Sequence, residues 1–332
     1  MHIFTNPNYN FLRWRWHAVA LSWLVILAGL GLIYTRGLAK GIEFAGGTSV
    51  IMQFDQTPSV DAVRRALNAN YAGGGQDAVV QSYGGPELRQ VMVRVPQVGA
   101  EQGASLSTMA QAVEASLRKG NLGNFKVVGT EIVGPAVGQE LTQKGLSAFV
   151  LSLVGILAYI AFRFEFAFAV GAVVATVHDV LVTLAFLVFF GYDMTLNVIA
   201  AILTVTGYST NDTIVIFDRV RENLRKMRRD SLSEVINVSI NQTLGRTVIT
   251  AGTALLSAIA LFLFGGEVLH GFAFTMIVGI VTGTYSSVFV AAAIVTFWRR
   301  KAPSKLAASP AAVATASAPA RRAKSARKVR AS

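Results

Sequence analysis

Long stretches of apolar residues with almost no charge constrain this chain more than any other feature of its sequence. A helix needs about 20 such residues to cross the hydrocarbon core of a bilayer. Only 14% of the residues are charged and 53% are apolar, whereas about 25% of the residues of a soluble protein are charged. We therefore predict an α-helical polytopic membrane protein with six transmembrane helices. The predicted spans are residues 18–34, 146–162, 166–190, 194–217, 247–264 and 272–298.

The first apolar stretch could also be a cleavable signal peptide. The segment before it is long and carries Phe11, Trp14 and Trp16, and no small-x-small cleavage site follows it, so we favour a membrane span.

Basic residues predict the orientation of the bundle. They cluster before span 1, after span 2, between spans 4 and 5, and after span 6, whereas the turns 191–193 and 265–271 contain no Lys or Arg. If the spans alternate, every basic cluster lies on one side, which the positive-inside rule assigns to the cytoplasm. Both termini, including the segment 1–17, are then cytoplasmic, and the segment between spans 1 and 2 is exported.

The exported segment, residues 35–140, has the size of one small domain. Alternating β-rich stretches at 48–54, 78–83, 90–95 and 125–132 are interleaved with amphipathic helical patterns at 59–70 and 105–118. The order β-α-β-β-α-β is typical of a ferredoxin-like α+β domain. This segment contains no catalytic or metal-binding motif, so we expect it to bind rather than to catalyse.

A few ionisable residues fall at membrane depth, where charge is costly and commonly functional. His178 and Asp179 lie near the middle of span 3, Asp212 lies in span 4, and Arg246 lies at the start of span 5. Helical spacing places Ser209, Asp212 and Thr213 on one face of span 4, with Asn211 adjacent in sequence.

Two interpretations of Asp212 and Arg246 remain open at this point. They could form a proton relay, because a carboxylate between a low dielectric and a facing arginine can gain and lose a proton. They could equally form a buried ion pair that only holds spans 4 and 5 together. Asp179 could belong to the same proton pathway, or it could hydrogen-bond a neighbouring helix.

The net charge of +12 belongs mainly to the C-terminal tail. Residues 299–332 carry ten basic and no acidic residues, which leaves +2 for the rest of the chain. The tail has almost no large apolar residue, so we expect it to be disordered and to adhere to anionic lipids. No aromatic residue interleaves its charges, and we expect no nucleic-acid partner.

Other site classes lack their residues. The chain has no cysteine, no P-loop and no metal-ligand spacing, so we expect no cofactor, no metal and no enzymatic activity. Asp193 and Glu267 lie in exported turns and are predicted to be solvated. Gly279 and Gly283 form a small-xxx-small motif for helix packing.

Several blocks of sequence, in order along the predicted spans, resemble a known family. The blocks are GIEFAGGT (41–48), VGPAVGQEL (133–141), RFEF (163–166) with HDV (178–180), GYSTNDTIVIFDRVREN (207–223), NQTLGRT (241–247) and FLFGG (262–266). On these blocks the chain resembles the SecF family of the bacterial SecD–SecF preprotein-export complexes, within the RND superfamily. Glu43 stands where that family usually has Asp, and the tail has no family counterpart.

The resemblance implies a function and partners. Asp212 and Arg246 match the proton-pathway acid and its basic partner in the family, and Asp179 matches a family acid. The six spans are half of an RND-type bundle, which implies SecD as the other half. The pair would use the proton motive force in the bacterial inner membrane to promote late export of a preprotein through SecYEG, with YajC as a further expected partner.

Two other function classes compete with this one. A small-molecule or lipid exporter of the superfamily would have two large exported domains in each half, whereas this chain has one small exported segment. A purely structural subunit would use Asp212 and Arg246 only for assembly.

Overall fold

A computed structural model of the chain describes residues 7–56, 58–71, 78–84, 86–95, 106–164 and 166–301. In chain order its helices and strands are α1 (Phe11–Arg36), α2 (Ile42–Ala45), β1 (Gly47–Phe54), α3 (Val60–Asn70), β2 (Val79–Tyr83), β3 (Gln90–Val95), α4 (Leu106–Lys119), β4 (Phe125–Val133), α5 (Pro135–Arg163), α6 (Phe166–Phe190), α7 (Leu196–Lys226), α8 (Leu232–Phe264), α9 (Gly266–Ser286) and α10 (Ala292–Lys301). A π-helical segment, Ser287–Ala291, joins α9 to α10.

Long apolar helices form most of the described chain. Within the described residues, five helical stretches are long and apolar enough to cross a membrane: α1, α5, α6, α8 and the continuous stretch Val268–Phe297. The helix α7 has 31 residues, but polar side chains along it lower its hydropathy below that of these five. The chain is therefore a multi-pass membrane protein. That α7, the predicted span 4, also crosses the membrane stays a prediction.

Several helices extend beyond the predicted spans. The helix α8 begins at Leu232, far ahead of residue 247, because the Ser231 hydroxyl accepts a hydrogen bond from the Glu234 amide at 3.2 Å. The helix α1 begins at Phe11 with Asn10 as its cap. A helix begins where a capping group accepts a hydrogen bond from its free backbone amides. A hydropathy pattern detects only the part of the helix that lipid could surround.

The segment between α1 and α5 folds around one antiparallel sheet. Its strands lie in the order β2-β3-β1-β4. The four strands, α3 and α4 begin and end within one residue of their predicted positions, whereas the short helix α2 was not predicted. The helices α3 and α4 bury Val63, Leu67 and Leu117 against Met52 and Val93 of the sheet. The alternating pattern of the sequence was sufficient to place these elements.

The interior of the membrane part is formed by α6, α7 and the α9–α10 stretch. More than half of α6 is buried, and its Phe168 packs edge-on against Phe217 of α7, with ring centroids 5.0 Å apart. Few residues of the most apolar parts of α5 and α8 are buried, so these parts are available to lipid or to another subunit.

Glycines of α9 allow a close approach to α7. A Cβ at Gly279 would lie 2.4 Å from Val205, and a Cβ at Gly283 would lie 2.9 Å from Ser209. The predicted packing motif is thereby confirmed, and it brings the backbone of α9 to the polar face of α7.

Residues 1–6 and the tail from 302 to 332, for both of which predictions were made, lie outside the described residues. The predictions for the tail stay predictions.

Candidate functional site

The polar face of α7 is buried inside the helix bundle. Ser209, Asp212 and Thr213 are all at most 9% exposed, and they lie on one side of the helix as their spacing predicted. Asn211 lies on the exposed side of α7, so the structure does not bring it to this cluster.

Asp212 is held from α8 through one of its two carboxylate oxygens. Thr247 Oγ1 donates to Asp212 Oδ1 at 2.8 Å. Asp212 Oδ2 is buried and has no hydrogen-bond partner among the described residues. A carboxylate oxygen can accept up to two hydrogen bonds, so Oδ2 is a position where a proton or a donor from another molecule can be received.

Arg246 and Asp212 do not form a direct ion pair in this structure. Among the described residues no ion pair of 4.0 Å or less joins them, and Arg246 is exposed. Successive residues of a helix point about 100° apart, so a helix that turns Thr247 toward α7 turns Arg246 away. The roles of Asp212 and Arg246, as a proton relay or as a pair that holds the helices together, stay predictions.

Asp179 is the most completely satisfied acid at membrane depth. Its Oδ2 accepts from Ser209 Oγ of α7 at 2.5 Å and from Ser286 Oγ of α9 at 2.8 Å. Its Oδ1 lies 3.0 Å from His178 Nδ1, and the residue is 1% exposed. One carboxylate thus joins α6, α7 and α9.

His178 extends this hydrogen-bonded group toward α9. Its Nε2 lies 3.4 Å from the Tyr285 hydroxyl, and the two rings meet edge-on. His178 is buried. The predicted neighbours Asp179 and His178 therefore belong to one polar cluster.

The sequence analysis missed three hydroxyl residues of the site. Thr247 and Ser286 hold the two acids, and Ser287 Oγ lies 2.9 Å from Thr213 Oγ1. Ser287 opens the π-helical segment, and such segments in α-helices occur frequently at functional sites. The adjacent serines within an apolar span were the signal that could have identified this position.

The turn between α6 and α7 also differs from its prediction. Asp193 is not solvated: Arg94 Nη2 of β3 donates to Asp193 Oδ2 at 2.9 Å, and both side chains are about one-tenth exposed. Solvation of the turn was predicted from the local sequence, which contains no information about β3. Glu267 has no described side-chain environment.

The described residues do not form a metal site. No group of three or more His, Asp or Glu side chains among them could hold an ion.

Comparisons with known proteins agree with the blocks of sequence. The family described as "Protein export membrane protein SecD/SecF, C-terminal" matches residues 112–301, and the "SecD/SecF GG Motif" matches residues 31–58. The protein translocase subunit SecF of Desulfurispirillum indicum is 43% identical over 87% of this chain and 91% of its own length. The SecF subunit of Escherichia coli O157:H7 is 39% identical over 86% of each chain.

A solved structure is similar over most of the chain. The crystal structure of SecDF from Thermus thermophilus, titled a translocon-associated membrane protein, superposes with a TM-score of 0.78 at 35% sequence identity. The match covers 89% of this chain and 39% of that SecDF chain, so this chain spans about two fifths of that longer protein.

Proposed function

The chain belongs to the SecD/SecF family of protein export membrane proteins, and on this premise we propose that it is the SecF-type subunit of a proton-driven preprotein translocase. Its role is transport without catalysis. With SecD it uses the proton motive force to promote late steps of export through SecYEG. The observation that carries the proposal is Asp212, a carboxylate buried between α7 and α8 with one oxygen unpartnered among the described residues.

We further propose that α7, which corresponds to predicted span 4, also crosses the membrane, so that the chain has six spans. The chain then lies in the bacterial inner membrane with both termini on the cytoplasmic side. The helix α7 packs against α5, α6, α8 and α9, so its polar face is covered by other helices and not by lipid. Polar residues at membrane depth are tolerated in such an interior position. With α7 counted as a span, every basic cluster lies on one side.

The exported domain is proposed to be ferredoxin-like. Its described elements follow the order β1-α3-β2-β3-α4-β4, and the four described strands are antiparallel in the order β2-β3-β1-β4. Both helices cover the same core. In the proposed mechanism this domain holds the emerging preprotein and biases its movement outward.

The proposed proton step takes place at Asp212. The carboxylate receives a proton at its open oxygen when the bundle faces outward, and it releases the proton when the bundle faces the cytoplasm. One charge crossing 100 mV releases about 2.3 kcal/mol, enough to shift a two-state equilibrium roughly fiftyfold. The proton thereby shifts the bundle between two arrangements.

The proposed partner completes the site. The similar protein of known structure is a SecDF whose chain is longer than this one. This similarity supports SecD as the second half of the bundle. Arg246 lies on the exposed side of α8, where a partner helix can bring an acid to it. SecYEG, the preprotein and YajC are the further proposed partners.

Asp179 has two roles to distinguish. As a family-type acid it is proposed as a second group of the proton pathway, with His178 beside it and Ser209 of α7 donating a hydrogen bond to it. Its three polar contacts also favour a structural role, because a carboxylate with all its partners inside the protein holds the helices that supply them.

The test of the proposed function is Asp212→Asn in the complex of this chain with its co-purified partner, reconstituted in vesicles. The substitution keeps the size of the side chain and removes its proton exchange, so we expect both proton conduction and proton-stimulated export to be lost. Asp218→Asn is the matched control, because Asp218 lies on the same helix and is exposed.

Two outcomes would contradict the proposal. Conduction and export that both survive Asp212→Asn would remove Asp212 from the pathway. Loss of the partner from the purified complex, with no effect specific to protons, would instead indicate a purely structural subunit.

A further inference from the structure

An arginine of the exported domain is bound to the turn that leads into α7. Arg94 Nη2 donates to Asp193 Oδ2 at 2.9 Å, and Arg94 Nη1 donates to the Lys40 carbonyl oxygen at 3.0 Å. Gln81 Nε2 of β2 also lies 3.4 Å from Asp193 Oδ2. Two strands of the sheet therefore meet one carboxylate of the membrane part.

The same turn is bound by backbone hydrogen bonds to the segment that follows α1. The Met194 amide donates to the Ala39 carbonyl at 2.8 Å, and the Gly41 amide donates to the Met194 carbonyl at 2.7 Å. A Cβ at Gly41 would lie 2.9 Å from that carbonyl, so a larger residue would push the two segments apart. The ion pair thus lies where the turn 191–195 and the segment 37–41 pack closely together.

The turn is also fixed to α9 and leads directly into α7. The Tyr192 hydroxyl lies 3.0 Å from His270 Nδ1, and Asn197 Nδ2 donates to the Val268 carbonyl at 3.2 Å. Thr195 then caps α7 by accepting from the Val198 amide. A movement of α7 relative to its neighbours must therefore displace this turn or break its hydrogen bonds.

The distance from the turn to the acid is spanned by a single helix. Asp212 lies on the same continuous helix as the turn, and at 1.5 Å per residue the part of α7 from Leu196 to Asp212 is about 24 Å long. Helices of this kind move as rods in rigid-body transitions.

Stability alone is a weak explanation for a buried ion pair. Desolvation of two charges largely offsets their attraction, and such pairs are better attested as devices that specify one arrangement. Arg94 Nε is buried and has no hydrogen-bond partner among the described residues, so the arginine is not fully satisfied in this arrangement.

We propose that the Arg94–Asp193 ion pair is the joint that transmits movement of α7 to the exported domain. This inference rests on the proposed function, because it assigns a path for the movement that proton exchange at Asp212 produces. Arg94 and Asp193 are positioning residues: they exchange no proton and contact no reacting group.

The test separates proton conduction from export in vesicles that contain the complex with its partner. Arg94→Gln and Asp193→Asn should leave proton conduction within about twofold of the unmodified chain and lower proton-stimulated export roughly tenfold, a typical size for coupling between two sites. Arg64→Gln is the matched control, because Arg64 also pairs with a carboxylate of this domain, Asp61, but on its exposed surface.

Two further variants keep the test decisive if a single neutral variant fails to assemble. Arg94→Lys retains the charge and loses the planar fork that reaches two acceptors, so it should assemble and export at an intermediate rate. The exchange Arg94→Glu with Asp193→Arg should recover part of the lost export.

The outcomes distinguish this inference from the proposed function. Unchanged export in the Arg94 and Asp193 variants, or an equal fall of export and conduction in assembled complexes, would overturn the joint. If Asp212→Asn also had no effect on either quantity, the proposed function itself would be wrong.

Discussion

At the scale of single residues, the two acids buried in the bundle differ in what surrounds them. Asp179 receives hydroxyl groups from α7 and α9 and lies beside His178, whereas Asp212 receives only the Thr247 hydroxyl among the described residues. A fully bonded carboxylate holds its neighbours, and a partly bonded one is free to accept another group. The structural contrast therefore favours Asp212 as the exchanging acid.

We predict that Asp179→Ala lowers the stability of the purified complex by roughly 3 kcal/mol, because it leaves buried donors unpaired and opens a cavity. Ser286→Ala removes only one of the donors and should cost about 1 kcal/mol. Thermal unfolding in detergent measures both. Equal effects of the two variants would show that Asp179 does not hold α7 and α9 together.

At the scale of elements, α7 depends on its neighbours for its position in the bundle. Its polar face could not meet lipid, and the glycines of α9 let another backbone cover that face closely. Packing between small residues is a main source of helix association in membranes, where apolar side chains gain little by leaving lipid. The contact of α9 with α7 therefore keeps the site buried.

We predict that Gly279→Ala destabilises the complex by roughly 1–3 kcal/mol, because the new methyl group would overlap Val205 and overpacking costs about this much. Gly252→Ala on α8 is the control. A Cβ there meets nothing within 4 Å, and alanine is the better helix former by about 1 kcal/mol. A Gly279→Ala complex that unfolds at the same temperature as the Gly252→Ala complex would contradict the packing argument.

At the scale of the whole molecule, the sheet domain and the helix bundle are joined at one end of the bundle. The chain connects them at α1 and α5, and the ion pair between Arg94 and Asp193 adds a contact beside the α1 connection, where Arg94 also donates to the Lys40 carbonyl. Two domains joined only by their chain move relative to each other by default, so this contact restrains the sheet domain where it leaves α1.

The proposed orientation can be tested because the chain has no cysteine of its own. We predict that Ser82→Cys, on the exposed side of β2, reacts with a membrane-impermeant maleimide in intact spheroplasts. Asp230→Cys, exposed between α7 and α8, should react only after the membrane is opened. The reverse pattern, or equal labelling of both, would contradict the assignment of the exported side.

Much of the architecture could be predicted because it depends on local patterns. The four strands and the helices α3 and α4 of the sheet domain were placed within one residue, since alternation and helical periodicity are properties of neighbouring residues. The helix ends were less predictable, because caps such as Ser231 lie outside the apolar pattern. The span that corresponds to α7 was predicted from its length and its position between other spans. Its polar face lowers its mean hydropathy, so hydropathy alone does not identify α7 as a span.

The candidate site was predictable only in part. Asp179, Asp212 and His178 could be identified because ionisable groups are rare in apolar helices. Which groups meet them depends on the rotation of each helix about its axis. That rotation turned Thr247, and not Arg246, toward Asp212.

By itself the sequence determined the order of the four strands, of α3 and α4 and of the long apolar helices, the family of the chain, and which ionisable residues fall within apolar segments, because each is set by composition or by residues close together in the chain. Only the tertiary structure decided that Ser286 bonds Asp179 and that Arg94 pairs with Asp193. These partners are about a hundred residues apart in the chain, and they meet because the helices and the sheet pack in one arrangement.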